Sequence, residues 1–210
     1  MTQVRRRILQ RRISNPRTET GMDALDLLLN RASAVRLEGP APSGDDLDIM
    51  LRSALRAPDH GRLRPWRFVI IPEDQRDRFG ACMGDLLLRR MPDATAAMVE
   101  RERQKAKRAP LIIVVAARPK PSDKVPQQEQ VLSAGAAAQN IMLSAHALGY
   151  GAMWKTGAPA YDPQVKEALG LDRGDTVVAF IYVGTSTQLA ATSSPRPDPS
   201  EFVAIWGSTT

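Results

Sequence analysis

The chain has 210 residues, 43% of them apolar and 25% charged, which are values for one ordinary globular domain and exclude a disordered or fibrous chain. One cysteine, Cys82, and two histidines, His60 and His146, exclude an internal disulfide and a Cys/His zinc set, so no metal is expected. No apolar run has the length of a membrane span and no hydrophobic stretch follows the N-terminal arginines, so a cytoplasmic protein without a membrane partner is expected.

Residues 1–21 carry Arg5, Arg6, Arg7, Arg11, Arg12 and Arg17 against Glu19 alone, so this segment holds nearly all of the formal net charge of +6. It has no sustained amphipathic pattern and reads as a solvated basic extension, with a polyanion-binding arm as the alternative. Residues 22–210 read as a single, nearly neutral domain. A nucleic-acid-binding domain would spread its cations over a folded face, which is not the pattern here.

Along the domain, Leu25, Leu28 and Leu29 give Asp23 to Arg31 the spacing of an amphipathic helix. Ser43 and Asp46 resemble a capping box, and Leu47, Met50, Leu51, Ala54 and Leu55 then share one helical face up to Ala57-Pro58. Arg67 to Ile71 is a short β-rich strand closed by Pro72. A third helix carries Phe79, Met83, Leu86, Leu87 and Arg90, and the charged stretch from Ala94 to Lys107 reads as a fourth, largely solvated one. Leu111 to Ala117 is a buried strand. The small-residue helix from Gln128 to Leu148 allows close backbone approach and belongs at the centre, with a subunit contact as one use. Ala152 to Lys155 is a short strand, Asp162-Pro163 caps a helix that ends at Gly170, and Thr176 to Val183 is the last strong strand before a Ser/Thr/Pro-rich tail. Widely separated strands among more numerous helices point to an α+β fold.

Several chemical motifs fail. Gly149 to Thr156 mimics a phosphate loop, but Trp154 stands where the second glycine must let backbone N–H groups curl around phosphate, and the segment runs from a helix into a strand. Gly149-x-Gly151 lacks the third glycine and the context of a dinucleotide fingerprint. No nucleophile elbow is present, and neither histidine stands in a nucleophile motif. An enzyme with this inventory would need a cofactor to supply the chemistry.

Four segments carry a resemblance: Asn30-Arg31-Ala32-Ser33-Ala34-Val35-Arg36, Arg56-Ala57-Pro58-Asp59-His60 with Pro65-Trp66-Arg67-Phe68, Gly151 to Gly157, and Tyr182-Val183-Gly184-Thr185. In this order they resemble the nitroreductase family of FMN-dependent oxidoreductases, most closely its minimal YdjA-like branch, over roughly residues 22–206. The resemblance implies a central mixed or antiparallel sheet flanked by helices, an intertwined homodimer with FMN at the subunit interface, and NAD(P)H as co-substrate. It places Arg31, Ala32 and Ser33 in the R-x-S segment that meets the FMN phosphate and ribityl chain, where a forked guanidinium suits a dianion. Arg56 and His60 match positions that reach the flavin of the other subunit, and Trp66 matches an indole that packs. Trp154, Lys155 and Thr156 match the segment lining the flavin, with lysine where arginine is commoner, and Arg196 matches a C-terminal phosphate contact. Without the resemblance, Arg31 reads as a solvated helix-end charge, His60 as a loop histidine and Arg196 as an exposed loop charge.

The implied activity passes reducing equivalents from NAD(P)H through flavin to a nitroaromatic, quinone or similar small acceptor, with ping-pong kinetics. An FMN storage or flavin-processing protein of the same fold, or a polyanion-binding module, are the alternatives. Because the tail contributes charge without a foldable pattern, deleting residues 1–21 should leave FMN content and turnover nearly unchanged, as measured by flavin absorbance and steady-state rates on the truncated protein.

Overall fold

The structure is a computed structural model that describes residues 22–186 and 197–207. The basic extension and Arg196 lie outside the described residues. Six α-helices run through them: α1 (Ala24–Asn30), α2 (Gly44–Ala54), α3 (Arg76–Arg90), α4 (Ala96–Gln104), α5 (Gln127–Ala147) and α6 (Pro163–Ala168). The strands are β1 (Leu37–Glu38), β2 (Trp66–Ile71), β3 (Leu111–Ala117), β4 (Gly151–Lys155) and β5 (Thr176–Ser186).

Each strand pairing is antiparallel, in the order β1-β5-β3-β2 with β4 also paired to β5. β3 is buried along its whole length because helices cover both faces of the sheet. Ile113, Val115, Ile181 and Val183 point to the side of α2 and α5. Ile112, Val114, Phe180 and Tyr182 point to the opposite side, against α3 and α6. The period-2 alternation of the strands thus feeds two cores at once. On α5, Ala134, Ala137, Ala138 and Ala145 are fully buried and let the helix lie close against the sheet.

Local chemistry explains most element ends and corrects three expectations. Asp23 caps α1 by accepting from Leu25 and Asp26 N–H, and Asp162 caps α6 through Gln164 and Val165 N–H, as its Asp-Pro start implies. The expected Ser43 capping box does not form. Ser43 makes no side-chain cap bond, and the Asp46 carboxylate instead accepts from the Tyr150 hydroxyl at 2.7 Å, tying α2 to the start of β4. The fourth helix stops at Gln104, and Lys105–Arg108 turn into a tight 3₁₀ turn with Ala106 buried. β5 runs three residues past Val183, because β1 pairs Leu37 with Ser186 and Glu38 with Thr185.

Among the described residues, two apolar surfaces stand out as uncovered. The leucines of α1, Leu25, Leu28 and Leu29, are exposed although their spacing is that of a packing face. Near the C-terminal end Phe202, Val203 and Ile205 are exposed, and Trp206 is 100% exposed. Among the described residues no helix is long and apolar enough to cross a membrane, and no acidic, His or Cys group is arranged to hold a metal.

One buried ion pair stabilises the turn into β5. Asp175 is 2% exposed and accepts two bonds from Arg118 Nε, at 2.9 and 3.1 Å, and one from Arg118 Nη2 at 2.7 Å, plus the Asp172 N–H. Burial by itself raises the Asp175 carboxyl, but the Arg118 hydrogen bond, the Asp172 N–H and the Arg118 charge outweigh it and hold the group below its ordinary value of 3.8. Its stabilisation is therefore complete above that value and is lost as pH falls through the depressed one. Asp175→Asn should lose about 2 to 3 kcal/mol at neutral pH, read from the urea midpoint at constant slope. The gap from the parent protein should narrow below pH 3.8.

Candidate functional site

Residues 33–38 cross the ends of β4 and β5 along a seam that two glycines keep open. Ala34 N–H donates to the Ala152 carbonyl at 3.0 Å. A Cβ on Gly151 would come within 2.7 Å of Leu37 and 2.9 Å of Ala34, and a Cβ on Gly184 within 2.6 Å of the Pro110 ring and 2.7 Å of the Glu38 carbonyl. Only the missing side chains allow this approach. The seam brings residues 33–38 beside β4 and beside the Lys105–Arg108 turn that precedes Pro110.

Two hollows open there. A cleft of about 790 Å³ is lined by Ser33, Arg36, Lys107, Arg108, Trp154 and Lys155. A cavity of about 660 Å³ adjoins it between α3, the Lys105–Arg108 turn and the end of β4, and shares Arg108 and Lys155 with the cleft. Both volumes lie in the range of small-molecule sites. Several surrounding cations are already matched: Arg36 with Glu38 at 2.8 Å, Lys107 with Asp77 at 2.7 Å, and Lys105 with Glu102. Arg108 and Lys155 have no ion-pair partner among the described residues, so the joint between the hollows carries uncompensated positive charge suited to an anion. Tyr182 lies on the cavity side of β5, where burial pushes its hydroxyl up to about 12 against the opposing charge of Arg108.

The structure separates the residues singled out in the sequence into two groups. Ser33, Trp154 and Lys155 meet in the cleft, Thr156 follows in the cavity wall, and Arg31 and Ala32 lead into Ser33, both half-buried. Arg31 itself lies by the last turn of α5, with Nη1 buried. There burial, and second the Arg31 charge, hold His146 below its ordinary value. Arg56 and His60 are both exposed, and His60 stands beside the first turn of α5, where its Nδ1 lies 2.7 Å from Glu129 Oε2. From Glu129 to His146 the helix rises about 25 Å, so Arg31 and His60 of one chain stand at opposite ends of it. Trp66 packs, as expected, and its indole N–H donates to Ser133 Oγ at 2.9 Å.

Sequence reading missed Lys105, Arg108 and Tyr182. Lys105 falls inside a charged stretch that reads as a solvated helix, and Arg108 directly after its expected end at Lys107. The available signal was Pro110, which drives the residue before it out of helical geometry and ends the turn. Tyr182 stands out in the sequence only as the first residue of the Tyr182-Val183-Gly184-Thr185 segment, with no role in the site.

The Nitroreductase family model matches residues 29–185. The Escherichia coli K12 protein named "Putative NAD(P)H nitroreductase YdjA" is 43% identical over 185 residues, covering 88% of this chain and 100% of the relative. Among solved structures, a nitroreductase-like family protein from Bacillus cereus superposes with a TM-score of 0.76 at 24% identity, covering 91% of this chain and 100% of that one. A protein from Desulfovibrio desulfuricans, described as a "putative nitroreductase in complex with fmn", gives a TM-score of 0.67 at 26% identity over 86% of this chain and 95% of that one.

The matched region ends just past the seam glycine Gly184. Its neighbours, a proline ring and a backbone carbonyl, cannot swing aside for a methyl group. Gly184→Ala should therefore cost about 1 to 3 kcal/mol of stability through overpacking, measured as a lower urea midpoint.

Proposed function

The chain belongs to the nitroreductase family, and we propose that it is an FMN-dependent oxidoreductase passing reducing equivalents from NAD(P)H to a nitroaromatic, quinone or similar acceptor. The observation that carries this reading is the cleft, where Ser33 and Trp154 line one hollow with Lys155 at its edge, and the half-buried Arg31 and Ala32 lead into Ser33. That combination fits FMN, which presents an anionic phosphate, a polar chain and a flat ring. A 43% identical relative named as an NAD(P)H nitroreductase and a solved relative in complex with FMN support the same cofactor and co-substrate.

When bound, FMN would supply the redox chemistry between NAD(P)H and the acceptor. The protein's own residues bind and orient. In this reading Arg31 and Ser33 take the phosphate and ribityl chain, with Ala32 bringing its backbone between them, and Arg196 adds a further cation from the C-terminal segment. Lys155 contributes a point charge rather than a fork. Trp154 and Thr156 complete the wall beside the ring.

Arg56 and His60 serve the flavin of a second copy, a reading supported by the length of α5 that stands between His60 and Arg31 of one chain. The reading is therefore a homodimer with two interfacial sites. The uncovered leucines of α1 and the exposed Phe202-to-Trp206 segment support it, since apolar faces of this kind are ordinarily covered by a partner. One flavin serving both substrates in turn makes the kinetics ping-pong. A cytoplasmic setting belongs to the same reading, because that is where NAD(P)H is available.

The purified protein should be yellow, release FMN on denaturation, bleach anaerobically with NADH or NADPH, and give parallel initial-rate lines. A colourless protein overturns the cofactor assignment, and a yellow protein that neither nucleotide bleaches returns the storage reading. Arg31→Ala should weaken FMN binding from about thirty-fold to several-thousand-fold, the range for losing a charge-assisted pair of about 2 to 5 kcal/mol, with Arg31→Lys recovering only part. Fluorescence titration of FMN into the apoprotein reads both. Unchanged affinity in Arg31→Ala would move the phosphate to Lys155 or Arg196.

A further inference from the structure

The cavity behind the joint has a chemistry of its own. One wall is apolar, built from Phe79, Met83 and Leu87 of α3, with Phe180 of β5 in a tilted ring pair with Phe79 at 5.6 Å between centroids. The charged lining is strongly biased, because Arg90, Lys105, Arg108 and Lys155 face a single carboxylate, Glu102. That carboxylate is already paired with Lys105. The least expected member is Tyr182. It is 4% exposed and lines the cavity, yet its hydroxyl makes no hydrogen bond with any described residue. Lining the cavity without an acceptor among the described residues, the hydroxyl is free to donate to a molecule bound there. Burial keeps this hydroxyl protonated, so it is a donor at every physiological pH.

We propose that this cavity is a binding subsite for a small planar aromatic molecule that carries an oxyanion, such as a carboxylate. The Tyr182 hydroxyl donates to the oxyanion, Arg108 supplies the opposing charge, and the ring rests against Phe79, Met83 and Phe180. Shape and charge select together: a neutral arene leaves the Tyr182 donor and Arg108 unsatisfied, and an aliphatic anion leaves the aromatic wall unfilled. The assignment rests on the reading that flavin occupies the adjoining cleft, and under that reading it defines the acceptor class as arenes bearing an acidic substituent.

The test is equilibrium dialysis of the full-length, FMN-loaded protein against 4-nitrobenzoate, with nitrobenzene as the neutral comparator, and with flavin content measured on each sample. The expected result is binding of 4-nitrobenzoate at least about tenfold tighter than that of nitrobenzene, a difference matching one charge-assisted hydrogen bond. Tyr182→Phe, which keeps the ring and removes only the donor, should weaken 4-nitrobenzoate by about tenfold. Leu87→Trp, at a half-buried position on the cavity wall, should block it.

Equal binding of the two probes overturns the oxyanion class. Undiminished 4-nitrobenzoate binding in both variants places the ligand elsewhere and overturns the subsite. Loss of flavin from folded Tyr182→Phe protein assigns the cavity to the flavin itself and overturns it as well. A parent protein that carries no FMN fails the cofactor reading alone, because dialysis of that protein still reports on the cavity.

Discussion

A seam without side chains holds the candidate site together. Gly151 and Gly184 let residues 33–38 come within contact of β4, β5 and Pro110, and everything chemically distinctive depends on that approach. It forms β1, extends β5 to Ser186, sets Ser33 beside Trp154, and backs the Lys105–Arg108 turn against the cleft. A tyrosine-valine-glycine-threonine segment that looks unremarkable as a strand end is thus a packing requirement shared by three parts of the chain. The cost of any side chain there is paid at the site as well as in stability.

The parts of the fold legible in the sequence are those whose burial is decided locally. β2, β3 and the body of β5 announce themselves as short runs of β-branched and aromatic residues, and α5 as a long run of small ones. The Asp162-Pro163 cap is equally local. Ser43 and Asp46 mislead because a carboxylate free to cap a helix is also free to accept from Tyr150, over a hundred residues away, and only the tertiary structure decides between them. β1 is two residues long and exists because of its neighbours, so no periodicity could reveal it.

The site follows the same division. Ser33, Trp154 and Lys155 were legible because they stand in recognisable segments, and the structure brings them together in one cleft. Arg108 was hidden by its surroundings, since a run of lysine and arginine reads as a solvated surface until Pro110 is seen to end it. Tyr182 was legible only as part of a strand-end segment, without a role in the site. Phe180 and Tyr182 share a face by period two, but whether that face meets a core or a cavity depends on where α3 lies across the sheet. The uncovered leucines of α1 mark a third kind of limit, because their periodicity correctly predicts a helix while nothing among the described residues covers its apolar face.

The chain's three tryptophans occupy three unlike environments. Trp66 is half-buried with its N–H held by Ser133, Trp154 stands in the cleft wall, and Trp206 is wholly in solvent. Their emission therefore divides by location. Light from Trp154 is the component that an absorbing ligand in the cleft quenches most strongly, whereas Trp206 emits at long wavelength until another surface excludes water from its indole. Two events that activity measurements merge, filling of the cleft and covering of the C-terminal segment, are written into separate parts of one ultraviolet-excited spectrum, and the natural chain carries these optical reporters without any label.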